Sequence, residues 1–114
     1  MSFPLRGEIY WVNLDPAIGT EIAKTRPALI ISNDVGNEHS SRVIVAPLTT
    51  QAVEWTHPFE VFIPSGQAGL ERASKALLNQ IRTLDKRRLG RRIGALPADR
   101  MPHVDRSIRV TLSV

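Results

Sequence analysis

In the stretch GTEIAKTRPALIIS, residues 19–32, an arginine stands directly before a proline, where a polar segment that opens on glycine meets an apolar run. A residue preceding proline is pushed toward extended backbone, so the Arg26 side chain is expected to project from a defined position at a strand edge. Thr49 and Thr50 end a second apolar run, RVIVAPLTT, while Asn79, Gln80 and Arg82 alternate with Ile81 in a later one, SKALLNQIR. Read as a strand, that later run puts Gln80 and Arg82 on one face. Together these side chains would line a polar, cationic groove. A plainer reading stays open, in which Arg26 pairs with Glu21 and the threonines cap a strand.

A groove of this kind suits a substrate that carries its own nucleophile. RNA does, in the ribose 2′-hydroxyl, so a protein can cleave it by orienting the strand for in-line attack and stabilising charge on the phosphorane. Arginine fits the phosphate because its planar fork donates two parallel hydrogen bonds and stays charged. Neither a serine nucleophile nor a metal is then required.

Other chemistries find little support. His39, His57 and His103 are far apart and none pairs with a second at metal-ligand spacing. G-x-S-x-G is absent and the scattered glycines form no phosphate-cradling loop. No cofactor and no metal are expected. With no cysteine, disulfides and thiolate sites are excluded, which suits a reducing, cytoplasmic setting. A secretory signal is not expected, since MSFPLRGEIYW reaches a proline and an arginine before any apolar stretch forms. Nor does any apolar run approach the ~20 residues needed to cross a bilayer.

The 114 residues suit a single domain, 42% apolar and 23% charged. Charge is unevenly spread. Residues 1–79 hold six Lys/Arg against eight Asp/Glu, whereas residues 80–114 hold nine against three. Such asymmetry suggests a polyanionic partner on one face, nucleic acid or an acidic protein segment.

The elements that must position these groups are short. GEIYWVNLD alternates Ile9, Trp11 and Asn13 with Tyr10, Val12 and Leu14, a strand pattern that Asp15-Pro16 closes. PALIIS, RVIVAPLTT, HPFEVFI and SKALLNQIR read as further strands, with NDVGNEHSS, TQAVEWT and PSGQAGLE as turns and loops between them. LDKRRLGRRIG reads as a basic helical turn or hairpin. Met101, Val104, Ile108 and Leu112 then predict a C-terminal helix starting near Pro102. Strands at this spacing with one terminal helix argue for a small, mostly antiparallel barrel.

The residues in this order resemble a known family. RGEIYWVNLDPAIGTEIAKTRPALIIS is similar to the N-terminal signature of the MazF/PemK (Kid) toxins, messenger-RNA interferases of bacterial toxin–antitoxin modules. VIVAPLTT, HPFEV, LLNQIRTLDKRRL, RIGALP and the closing helical segment follow in that family's order. The resemblance implies an SH3-like barrel of five to seven mainly antiparallel strands with short helices and a C-terminal helix. It implies a homodimer that cleaves single-stranded RNA without metal, leaving a 2′,3′-cyclic phosphate and a 5′-hydroxyl. Carried over by position, Arg26 matches the arginine at the scissile phosphate and Thr49 the threonine that assists it. Asn33, Gln80 and Arg82 match positions that contact RNA, and Lys86 and Arg87 fall in the basic stretch expected along its path. Glu21, on the same loop as Arg26, is the expected general base. Where PemK-type members carry Arg-x-Asp, this chain has Leu77 and Asn79, so it resembles the MazF-type branch.

Two partners follow from the resemblance. RNA and a cognate antitoxin with an acidic C-terminal segment would compete for the same cations. Two rival readings stay open, a non-catalytic toxin that binds a protein such as gyrase in the manner of the CcdB family, and an RNA-binding barrel without cleavage.

Overall fold

The computed structural model describes residues 2–114. The elements run β1 (Glu8–Asn13), β2 (Thr25–Ile30), α1 (Asp34–His39), β3 (Arg42–Thr49), β4 (Glu60–Ile63), β5 (Ser74–Leu77), a 3-10 turn (Leu78–Gln80), β6 (Arg82–Asp85), a second (Lys86–Arg88), β7 (Leu89–Ala95), a third (Ala98–Arg100) and α2 (Met101–Leu112). All strand pairings are antiparallel. The sheet follows the order β4-β5-β3-β2-β1-β7, with β6 also on β3. This is the expected small antiparallel architecture.

β3 organises the sheet. One edge pairs with β2, while the other is shared, Arg42–Val45 bonding β6 and Leu48–Thr49 bonding β5. Pro47, with no N–H to donate, falls where the partner changes. The shared edge folds the sheet on itself, and alternation then buries apolar residues on both faces. Ile9, Leu29, Ala46 and Leu48 join Val61, Ile63 and the α2 residue Val104 in one core. Val12, Leu14, Ala28, Ile30, Val43, Val45 and Leu84 form the other. The alternation read in β1 holds, with Ile9 in the first core and Val12, Leu14 and the flanking Tyr10 in the second.

Several expectations need correction. SKALLNQIR is not one strand: it is β5, the 3-10 turn Leu78–Gln80 and the start of β6. The apolar run does not break there because Leu77 and Leu78 are both buried across the turn. Of the two readings of LDKRRLGRRIG, the basic helical turn holds, as the 3-10 turn Lys86–Arg88, and the hairpin does not, since β6 pairs with β3 and β7 with β1. NDVGNEHSS holds the short helix α1, whose N-cap Asn33 accepts from the Gly36 N–H at 2.8 Å.

The α2 helix carries a proline in its first turn, as expected. Its buried stripe is shorter than predicted. Val104 and Ser107 are buried, Met101 and Ile108 pack against the core, and Leu112 is 51% exposed. The Ser107 hydroxyl donates to the Pro58 carbonyl at 2.9 Å, tying α2 to the segment before β4.

Two glycines let the loop before β5 lie against β7. A Cβ at Gly94 would collide with the Ala68 carbonyl oxygen, and one at Gly69 with the Ile93 carbonyl oxygen. Only backbone without side chains approaches so closely.

Candidate functional site

The β2–β3 ladder pairs Ala28 with Pro47, Leu29 with Ala46 and Ile30 with Val45. Continuing that register by two residues sets Arg26 opposite Thr49. Residues directly opposite in an antiparallel pair project to the same face, their Cβ atoms within about 4.5–5.5 Å. Arg26 is extended, as a residue before proline should be, and lies inside β2. Both side chains line one pocket of about 280 Å³, with Lys24, Thr25, Pro27, Leu48, Thr50 and Ser74.

Within that pocket the guanidinium is half-buried and held from one side. Arg26 Nε donates to the Ala23 carbonyl at 2.8 Å, and among the described residues no carboxylate pairs with it. Its two terminal nitrogens are thus available to an anion. Thr49 Oγ1 accepts from the Gln51 N–H at 3.1 Å, so the hydroxyl proton can be donated outward. A cationic fork and a hydroxyl donor on one wall make a phosphate-sized anion site.

Glu21 lies outside the Arg26 pocket. Its Oε1 accepts from the Ile18 N–H at 2.6 Å, and no ion pair joins it to Arg26. It lines a separate pocket of about 310 Å³ with Ile22, Asn79, Gln80, Ile81 and Arg82. Gln80 and Arg82 do come together, through the 3-10 turn and not through strand alternation. Both reach the β1–β2 loop: Gln80 Oε1 accepts from the Ile22 N–H and Arg82 Nη1 donates to the Leu14 carbonyl, each at 2.8 Å.

Asn33 stands apart from this group. It lies beyond the far end of β2, seven residues from Arg26, or roughly 20 Å along an extended strand, and its side chain caps α1. Lys86 and Arg87 sit on the turn between β6 and β7 and line none of these pockets. Arg87 forks onto Asp85 at 3.0 and 3.1 Å, and this hydrogen bonding lowers the Asp85 carboxyl to about 2. Much of the Arg87 charge is thereby matched within the protein.

Sequence reasoning missed the groove next door. It holds about 490 Å³ between Trp11, Gly69, Leu70, Glu71, Arg72, Arg91 and Ile93, and shares Pro27, Thr50 and Ser74 with the Arg26 pocket. Arg91 belonged to the basic run already noted, but only the β1–β7 pairing and the glycine-mediated contact of the loop with β7 bring Trp11, Arg72 and Arg91 to one surface.

Comparison with known proteins bears on the family and the fold. Residues 5–112 match the family described as PemK-like, MazF-like toxin of type II toxin-antitoxin system. The chain is 40% identical to Endoribonuclease EndoA of Bacillus subtilis (strain 168) over 109 residues, 96% of this chain and 94% of that protein. Its fold is similar to the crystal structure of MazF from Deinococcus radiodurans, with TM-score 0.85, 29% identity and full coverage of both chains. A mycobacterial endoribonuclease solved with its cognate antitoxin is similar over 97% of this chain and 96% of that one, with TM-score 0.81 and 27% identity. With the motifs in order along nearly its whole length and the same architecture, the chain belongs to the PemK-like, MazF-like toxins of type II toxin–antitoxin systems.

Proposed function

We propose that this chain is an endoribonuclease toxin that cuts single-stranded RNA, messenger RNA included, at selected sequences in the cytoplasm, with Arg26 and Thr49 as its catalytic residues. The observation that carries this reading is that both line one pocket, at positions that the β2–β3 register, continued by two residues, sets opposite each other. A phosphodiester seated there receives two hydrogen bonds from the guanidinium and one from the hydroxyl. The ribose O2′ attacks phosphorus in line, the O2′–P bond forms and the P–O5′ bond breaks. The proton lost from O2′ passes to solvent and O5′ gains one, leaving a 2′,3′-cyclic phosphate and a 5′-hydroxyl. Donors aimed at the phosphorane oxygens act most strongly when its extra charge develops, which is how binding becomes catalysis.

The flanking strand would lie along the groove of Trp11, Arg72 and Arg91, where cations meet phosphates and an indole offers a stacking face. The acidic C-terminal segment of a cognate antitoxin would use the same cations and so exclude RNA. A homodimer accords with the apolar side chains left exposed at the end of α2 and just beyond it, Val110, Leu112 and Val114. No helix among the described residues is long and apolar enough to cross a membrane.

Incubation with one long RNA in EDTA tests the reading. Discrete fragments ending in cyclic phosphate and 5′-hydroxyl are expected. Cleavage that needs an added divalent ion, or fragments with 5′-phosphate ends, would overturn the mechanism, and intact RNA at high protein concentration would overturn the activity.

A further inference from the structure

We propose that Gln80 is a positioning residue for Arg26, holding still the loop segment whose carbonyl grips the guanidinium. This role rests on Arg26 being the group that meets the phosphate. Arg26 Nε donates to Ala23 O, and the residue before Ala23 donates its own N–H to Gln80 Oε1, each bond 2.8 Å long. Two hydrogen bonds therefore link the amide of residue 80 to the guanidinium through two residues of backbone.

The rest of the β1–β2 loop shows why this link matters. Its base is fastened several times over. Leu14 N–H donates to Lys24 O at 2.9 Å, Lys24 N–H to Asp15 Oδ1 at 2.8 Å, and Arg82 Nη1 to Leu14 O at 2.8 Å. Arg88 Nη1 donates to Asn13 O at 3.2 Å and to Asp15 O at 2.6 Å. The outer stretch, residues 16–23, is different. The bonds between Ile18 and Glu21 are internal to it, and among the described residues only Gln80 and Arg26 hydrogen-bond to it from outside the loop. The Ala23 carbonyl shares a rigid peptide plane with the Lys24 N–H that Asp15 holds, so it is anchored on its C-terminal side by Asp15 and on its N-terminal side, through Ile22, by Gln80 alone.

Gln80 is well founded for this purpose. It ends the 3-10 turn begun by Leu78, which is fully buried in the core and donates its N–H to Phe59 O at 3.0 Å. The tether thus runs from the packed interior to the sparsely bonded outer part of a long loop. Between the loop's two anchors Lys24 is held at φ +70°, a left-handed conformation that a lysine adopts only when its neighbours impose it. With one lone pair of its oxygen engaged, the Gln80 amide keeps its N–H₂ group and a second lone pair for a base, and its N–H₂ group for a phosphate.

Two substitutions separate positioning from direct RNA contact. Gln80→Met keeps the length and removes the acceptor; Gln80→Glu keeps an acceptor for Ile22 N–H and removes the donor. Wild type, both variants and Arg26→Ala are compared for kcat and KM on a defined RNA, and for solvent exchange of the Ile22 amide and the Arg26 Nε–H in the RNA-free protein. Gln80→Met is expected to lower kcat by about tenfold to a hundredfold, with KM changed less than about threefold, and to speed both exchange rates. Gln80→Glu is expected to restore both protections and most of kcat, any added charge repulsion showing in KM. If both variants raise KM equally and leave Arg26 Nε–H exchange at the wild-type rate, Gln80 is a substrate contact and the inference falls. If Arg26→Ala cleaves like wild type, the proposed function falls instead.

Discussion

Arg26 and Thr49 line one pocket from neighbouring antiparallel strands, each two residues beyond Ala28 and Pro47, the last pair of the β2–β3 ladder. Beyond that pair β3 bonds to β5, at Leu48 and Thr49.

Thr49 offers a hydroxyl whose oxygen already accepts from Gln51 N–H. Thr49→Val keeps the shape and removes the donor, so single-turnover cleavage should slow by about tenfold or more, the worth of a hydrogen bond to a charged group. Thr49→Ser should retain most of the rate. Equal rates for the valine variant and wild type would remove Thr49 from the mechanism.

The buried pair Lys75–Glu60 supports the site from below. Its 2.9 Å bond joins side chains only 6% and 8% exposed, and Lys75 Nζ also donates to Trp55 O, pinning the β3–β4 connection that begins at Thr50. Burial by itself would raise the Glu60 carboxyl, but hydrogen bonds from His57 N–H and Lys75, with the lysine charge, hold it below its ordinary 4.5. A depressed folded-state value stabilises the fold above the unfolded value, and that stability is lost as pH falls through the folded one. Between pH 5 and 3 the urea midpoint of wild type should therefore drop more than that of Glu60→Gln. At pH 7 the same variant should lose about 3–5 kcal/mol, because it leaves the lysine buried and unpaired. Parallel pH profiles would show that the pair does not contribute in this way.

Arg72 and Arg91 flank the groove beside the Arg26 pocket and appear in no ion pair among the described residues. If they meet phosphates of the flanking strand, replacing both by alanine should raise KM and reduce the slope of log affinity against log salt by about 0.7 for each phosphate no longer neutralised. Arg87→Ala should move that slope less, since Asp85 already engages its guanidinium. An unchanged slope in the double variant would place the RNA elsewhere.

Much of this was legible from residue types. The strand carrying Arg26, its extended backbone before Pro27 and the start of α2 near Pro102 follow from local rules that tertiary packing did not override. The break inside SKALLNQIR was not, because alternation vanishes when all four residues of β5 are buried, Lys75 among them. A lysine in a strand reads as solvent-facing until its carboxylate partner is found, fifteen positions earlier, on β4. α1 was hidden by its brevity and by Gly36 in its middle. The approach of Arg72 and Arg91 needed the strand order, which no single stretch encodes.

The catalytic role proposed for Arg26 is tested most directly by the single-turnover rate of Arg26→Ala on a defined RNA, measured beside the variant's thermal midpoint. The rate should fall by at least about a hundredfold, the cost of removing a preorganised donor to the transition state, with a midpoint within a few degrees of wild type. Cleavage at the wild-type rate by the folded variant would contradict that role.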